Sequence, residues 1–100
     1  EGTRLKAGAV SNEPLGDTRF WARALEYHLR DYYSSTKNVV YGRFRGVLFE
    51  SKDPQPFFYL AAVHAEDGKL IVAETFFPNQ EALERRIGQI EKMLSEAYAE

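Results

Sequence analysis

Residues 57–77 constrain the fold more than any other stretch of this chain. Two apolar, β-rich runs, 57–64 and 70–77, flank the dipeptide Asp67-Gly68. A type I′ turn needs positive φ at both central positions, and Asp-Gly adopts it at low steric cost. The dipeptide therefore predicts a two-residue antiparallel hairpin, and the loop length sets its register. His64 should lie opposite Ile71, Ala62 opposite Ala73, Leu60 opposite Thr75 and Phe58 opposite Phe77. The other face should carry Ala65 with Leu70, Val63 with Val72, Ala61 with Glu74 and Tyr59 with Phe76. Both faces are largely apolar, whereas a hairpin with one wet face alternates apolar and polar residues. Something is expected to cover each side.

One cover is legible directly downstream. Asn79 can cap a helix just after Pro78, and Leu83, Ile87, Ile90, Leu94 and Ala97 keep 3.6-residue spacing. This helix is expected on the face of the small pair Ala62/Ala73, with Gly88 allowing close backbone approach. A second helix should begin at Asp17 or Thr18 and reach about Tyr33. It aligns Trp21, Leu25, His28, Leu29 and Tyr32 on a stripe that Phe20, Ala24 and Tyr27 widen. It is expected to cover the rest of the same face, or an edge. Residues 34–38 should end it, because their Ser, Thr and Asn side chains compete for backbone hydrogen bonds.

Residues 39–50 read as one long strand, with Tyr41, Arg43 and Arg45 on one side and a bend at Gly46. His64, near the hairpin end, is expected at the rim of the sheet. The fold class that follows is α+β in the order α-β-β-β-α: a three-stranded antiparallel meander with a long C-terminal amphipathic helix on one face. Residues 17–100 should form this single domain, since 100 residues support one core. Residues 1–16, with three glycines, Pro14 and no apolar period, read as a flexible or extended N-terminal arm. The sequence opens on Glu1 rather than Met, so a processed chain is expected.

The α-β-β-β-α order resembles the double-stranded RNA-binding domain. The resemblance is topological: where that family places lysines at the start of its last helix, this chain has Gln80, Glu81 and Glu84. Acids facing a polyanion repel it, which argues against RNA-duplex binding. Residues 68–87 are similar to the strand-to-helix segment of YegP-like repeats, small βββα units, and that likeness supports the βββα reading of the C-terminal part.

Composition narrows the function classes. No run reaches the roughly 18 apolar residues a membrane helix needs, so no membrane partner is expected. Cysteine is absent, which removes disulfides and thiolate metal sites and leaves the compartment open, with the cytoplasm as default. Residues 1–50 hold eight Lys/Arg against six Asp/Glu, and residues 51–100 hold five against nine. Neither half is charged enough to mark a nucleic-acid-binding domain by itself. No glycine-rich phosphate loop, paired-carboxylate spacing or metal-ligand cluster occurs, so neither a catalytic residue nor a cofactor is assigned.

Three functional readings remain. The first is a non-catalytic interaction module that binds a protein partner or a second copy of itself through an apolar sheet face. Its contact residues would be Tyr59, Val63, Val72 and Phe76, with Tyr41, Arg43 and Arg45 selecting charge at the rim. The second is a single-stranded nucleic-acid binder, because Tyr41, Arg43 and Arg45 interleave a ring with cations. The third is a small-ligand or enzyme pocket beside the first helix, lined by Trp21, Tyr27, His28 and Glu74. In it, apolar neighbours would desolvate the lone strand acid Glu74.

Overall fold

A computed structural model describes residues 4–12 and 16–97. They form a five-stranded antiparallel sheet with a helix on each face. The strands are β1 (Arg4–Ser11), β2 (Ser35–Tyr41), β3 (Phe44–Glu50), β4 (Phe58–Glu66) and β5 (Lys69–Phe77). Helix α1 (Thr18–Leu29) lies between β1 and β2, and helix α2 (Gln80–Glu96) follows β5. The spatial order is β1-β5-β4-β3-β2, so the first two strands of the chain form the two edges.

The central hairpin matches the expected register at every pair, from Phe58 opposite Phe77 to Ala65 opposite Leu70. Its turn has φ of 51° at Asp67 and 76° at Gly68, both left-handed as a type I′ turn requires. Helix α2 begins at the expected cap, where the Asn79 side chain accepts a hydrogen bond from the Ala82 N–H. Its Ala82, Ile90 and Leu94 are buried with Phe58, Leu60, Ala62, Ala73 and Phe77. This main core lies on the face that carries Ala62 and Ala73.

Three features correct the three-strand meander, and with it the α-β-β-β-α order. First, residues 39–50 do not form one strand. The chain reverses at Gly42-Arg43, pairing Tyr41 with Phe44 and Thr36 with Phe49. Gly42 has φ of 63°, the left-handed glycine that a two-residue hairpin takes at its first position in a type II′ turn. Residues 34–38, expected to be irregular, supply most of β2. Second, residues 4–11 pair along the whole of β5, from Arg4 opposite Phe76 to Ser11 opposite Lys69. The rest of the N-terminal segment, at 1–3 and 13–15, lies outside the described residues.

Third, α1 packs on the face opposite α2. Leu25 and Leu29, with Tyr33 just beyond the helix, cover Val47, Phe49 and Ala61. The helix starts at the expected Asp17 cap but ends at Leu29, and a single 3-10 turn, Arg30–Tyr32, completes the run. Two local expectations also change. Gly46 makes no bend: a Cβ there would meet the Ala61 carbonyl oxygen at 2.3 Å, so the glycine permits close pairing with β4. Gly88 is exposed, with nothing within 4 Å of a Cβ built on it, so close helix approach is not its role. His64, expected at the rim, is buried beside the Phe44 ring, with Nε2 3.4 Å from a Glu66 carboxylate oxygen.

Candidate functional site

Helix α1 organises the surface around it. Its start is held by Asn12, a buried residue that follows β1. The Asn12 Oδ1 accepts hydrogen bonds from the Trp21 Nε1–H at 2.7 Å and the Gly16 N–H at 3.0 Å, while its Nδ2 donates to the Gly16 carbonyl. The Thr18 hydroxyl accepts from the Ala65 N–H at 2.9 Å, tying the first turn to β4. Despite these anchors, no residue of α1 is buried. The helix crosses β3 and β4 and leaves the sheet open on either side of itself.

On the β5 side lies an apolar strip. Val63 is buried and Tyr59 and Val72 are half-buried, but Phe76 is 42% exposed and Val10, across the strip on β1, is 55% exposed. Gly8 pairs with Val72 and adds no side chain, so the floor there is flat. A shallow groove of about 340 Å³ runs along Lys6, Gly8, Val10, Val72 and Glu74. The Phe76 ring lies tilted against Phe57 with ring centroids 5.1 Å apart, and Tyr33, Phe49 and Tyr59 continue the row of rings towards the second core.

Within this strip the Tyr59 hydroxyl donates to a Glu74 carboxylate oxygen at 2.6 Å. Burial, then the hydrogen bond and charge of Glu74, push the Tyr59 phenol well above its ordinary range. The partner of Glu74 on β1 is Lys6, its opposite in the register. Glu74 therefore sits beside a phenol and a cation position at the margin of the shallow groove, held by the Tyr59 hydroxyl.

On the β2 side lies a basic cleft of about 470 Å³, lined by Arg19, Arg23 and Glu26 of α1, Asn38 and Val40 of β2, and Arg45 of β3. At 100° per residue, Arg19, Arg23 and Glu26 share one flank of the helix, while Trp21, Ala24 and His28 share the other. Among the described residues none of these three guanidinium groups has an ion pair or hydrogen bond. Glu26 instead accepts from the Thr36 hydroxyl at 3.0 Å.

The seven contact residues read from the sequence thus divide. Tyr59, Val63, Val72 and Phe76 do share one face, on neighbouring strands β4 and β5. Tyr41, Arg43 and Arg45 do not stand together, because the turn at Gly42-Arg43 separates them. Tyr41 is buried on the α2 side, where burial and then the Glu91 carboxylate raise its pKa. Arg43 is exposed in the turn, and Arg45 lies in the basic cleft. Nor do the third reading's residues converge: Tyr27 and His28 are exposed on α1 and contact each other edge to face, while Glu74 lies on the sheet. Arg19 and Arg23 were overlooked, although their four-residue spacing on a flank that also carries Glu26 was readable. Among the described residues no three His, Asp or Glu side chains gather in a way that could hold a metal, and no helix is long and apolar enough to cross a membrane. No protein-family model matches the chain, and comparison with curated proteins finds no significant match.

Proposed function

We propose that this domain is a non-catalytic protein-interaction module that associates with a second copy of itself through the open half of the α1-side sheet face. The observation that supports this most is the open face over β5 and β1, where Val10 at one end and Phe76 at the other remain about half exposed, with Val72 and the Lys6–Glu74 register pair between them. Each apolar side chain left exposed there forgoes burial worth about 1.5–3 kcal/mol.

Size decides the form of the contact. The strip spans two strands of eight and nine residues. At about 3.3 Å per residue and about 4.8 Å between strands, that is roughly 250 Å² of face. A stable interface buries about 800 Å² per partner. Flat strip-on-strip contact is therefore too small, and α1, standing about 10 Å above the sheet, would hold two sheets apart. A twofold arrangement removes both obstacles if each α1 lies in the trough beside its partner's α1. It buries the flank bearing Trp21, Ala24 and His28 as well as the strip.

Light scattering behind a sizing column, at low and high salt, tests this. A mass of twice 11.5 kDa at high protein concentration in both salts is expected, with Phe76→Glu or Val72→Glu returning the monomer. A monomeric wild type at the highest attainable concentration in both salts refutes self-association.

A further inference from the structure

The basic cleft lies on the far side of α1 from the apolar strip and has no part in the contact proposed above. Its two walls are fixed independently. Leu25 and Leu29 seat α1 on the second core, and Arg45 belongs to a strand paired on both sides, with Val40 and Val63 as its register partners. Arg19 and Arg23 stand one turn apart, about 6 Å along the helix axis. Arg45 faces them from the sheet.

Three like charges around one cleft repel each other, and the single acid present does not offset them. Glu26 is engaged by Thr36, and it leaves a local excess of two positive charges among the lining residues. Arg45 is also half-buried between apolar register partners, where an unpaired guanidinium is costlier than at the surface. An oxyanion placed between the walls would satisfy all three groups. Guanidinium presents a planar fork that matches phosphate oxygens in pairs, and the Asn38 carboxamide adds a further donor.

We propose that this cleft binds a small phosphorylated molecule, gripped by Arg19 and Arg23 from the helix and Arg45 from the sheet. The size of the ligand follows from the cleft. About 470 Å³ lies in the range of small-molecule sites. A long polynucleotide is disfavoured, because the chain is acidic overall, with a net charge of −2.

Calorimetric titration with inorganic tripolyphosphate at low salt, paralleled by thermal melting, tests the assignment. Saturable one-to-one binding and a raised melting temperature are expected. Arg23→Gln and Arg45→Gln should each weaken binding at least about tenfold, as for loss of a charge-assisted hydrogen bond. Glu26→Gln should strengthen binding, because it removes the competing carboxylate. Lys92→Gln, which deletes an exposed positive charge on α2, should leave binding unchanged. Arg23 is exposed on α1, so its variant keeps the test valid should Arg45→Gln fold poorly. Absence of saturable binding, or equal weakening by Lys92→Gln, overturns the proposal. So does tighter binding of citrate, which would make the ligand a polycarboxylate, or of a thymidine 20-mer, which would make it a single-stranded nucleic acid.

Discussion

Asn12 shows how much one side chain can fix. It is buried and makes three hydrogen bonds that join the end of β1 to the start of α1. Each is worth about 1 kcal/mol net, and Asn12→Ala also leaves the Trp21 indole N–H without its acceptor. The substitution should destabilise the domain by about 2 kcal/mol in urea unfolding. Since Trp21 is the sole tryptophan, a red-shifted emission in the native state should report the loosened contact directly. Tyr59 gives a second prediction at this scale. Its pKa is raised in the folded state by burial and by Glu74, above the unfolded value of about 10. The folded protein thus holds that proton more tightly than the unfolded chain. The resulting stability is fully present below pH 10 and is lost as pH rises beyond it. The urea midpoint should fall progressively as pH rises above about 10. Tyr59→Phe should lessen that fall without abolishing it, because Tyr41 is shifted in the same direction.

Among the elements, two glycines separate what was legible in the sequence from what was not. Asp67-Gly68 carries its own conformation, and so the β4–β5 register could be derived pair by pair. Tyr41-Gly42-Arg43-Phe44 carries a weaker signal, since a lone glycine between β-formers fits a bulge or a turn equally well locally. The choice is made by tertiary contact. A Cβ at Gly42 would meet the Ser95 backbone at 2.7 Å, so the turn abuts the end of α2, which no local window of sequence contains. Read as one strand with a bend at Gly46, residues 39–50 place Arg45 beside Tyr41 and Arg43, whereas the turn at Gly42-Arg43 sets it on the cleft wall. Strand β1 was hidden for a similar reason: its residues beyond Leu5 are exposed, as an edge strand permits, so no alternating apolar pattern betrays it. Gly42→Ala should therefore cost about 2 kcal/mol, from left-handed φ and overlap together. Gly88→Ala, in open solvent on α2, should stabilise by about 0.5–1 kcal/mol through helix propensity. Thermal melts of the two variants should move in opposite directions.

At the scale of the whole molecule, α2 and α1 treat their faces differently. Helix α2 contributes three buried residues to a closed core, whereas α1 contributes none and divides its face into an apolar strip and a basic cleft. Covering a sheet with one central helix necessarily leaves a trough on each side. What the sequence controls is the chemistry of each flank: Trp21, Ala24 and His28 on one, Arg19, Arg23 and Glu26 on the other. The two surfaces respond to different forces. Apolar contact is nearly indifferent to ionic strength, whereas attraction of an exposed anion falls within a screening length of about 8 Å at physiological salt. They also lie on opposite flanks of one helix with no shared residue, and mutations at such separated sites act additively to within about 0.5 kcal/mol. Phe76→Glu should therefore disrupt association while leaving tripolyphosphate affinity within about twofold of wild type. Arg23→Gln should do the reverse. A double variant should show both losses without further penalty, measured as mass by light scattering and as affinity by calorimetry. If Phe76→Glu also abolished anion binding in a protein of unchanged melting temperature, the two troughs would be coupled through α1. The helix would then have to shift on the sheet when either is filled, a motion that its lack of buried residues makes inexpensive.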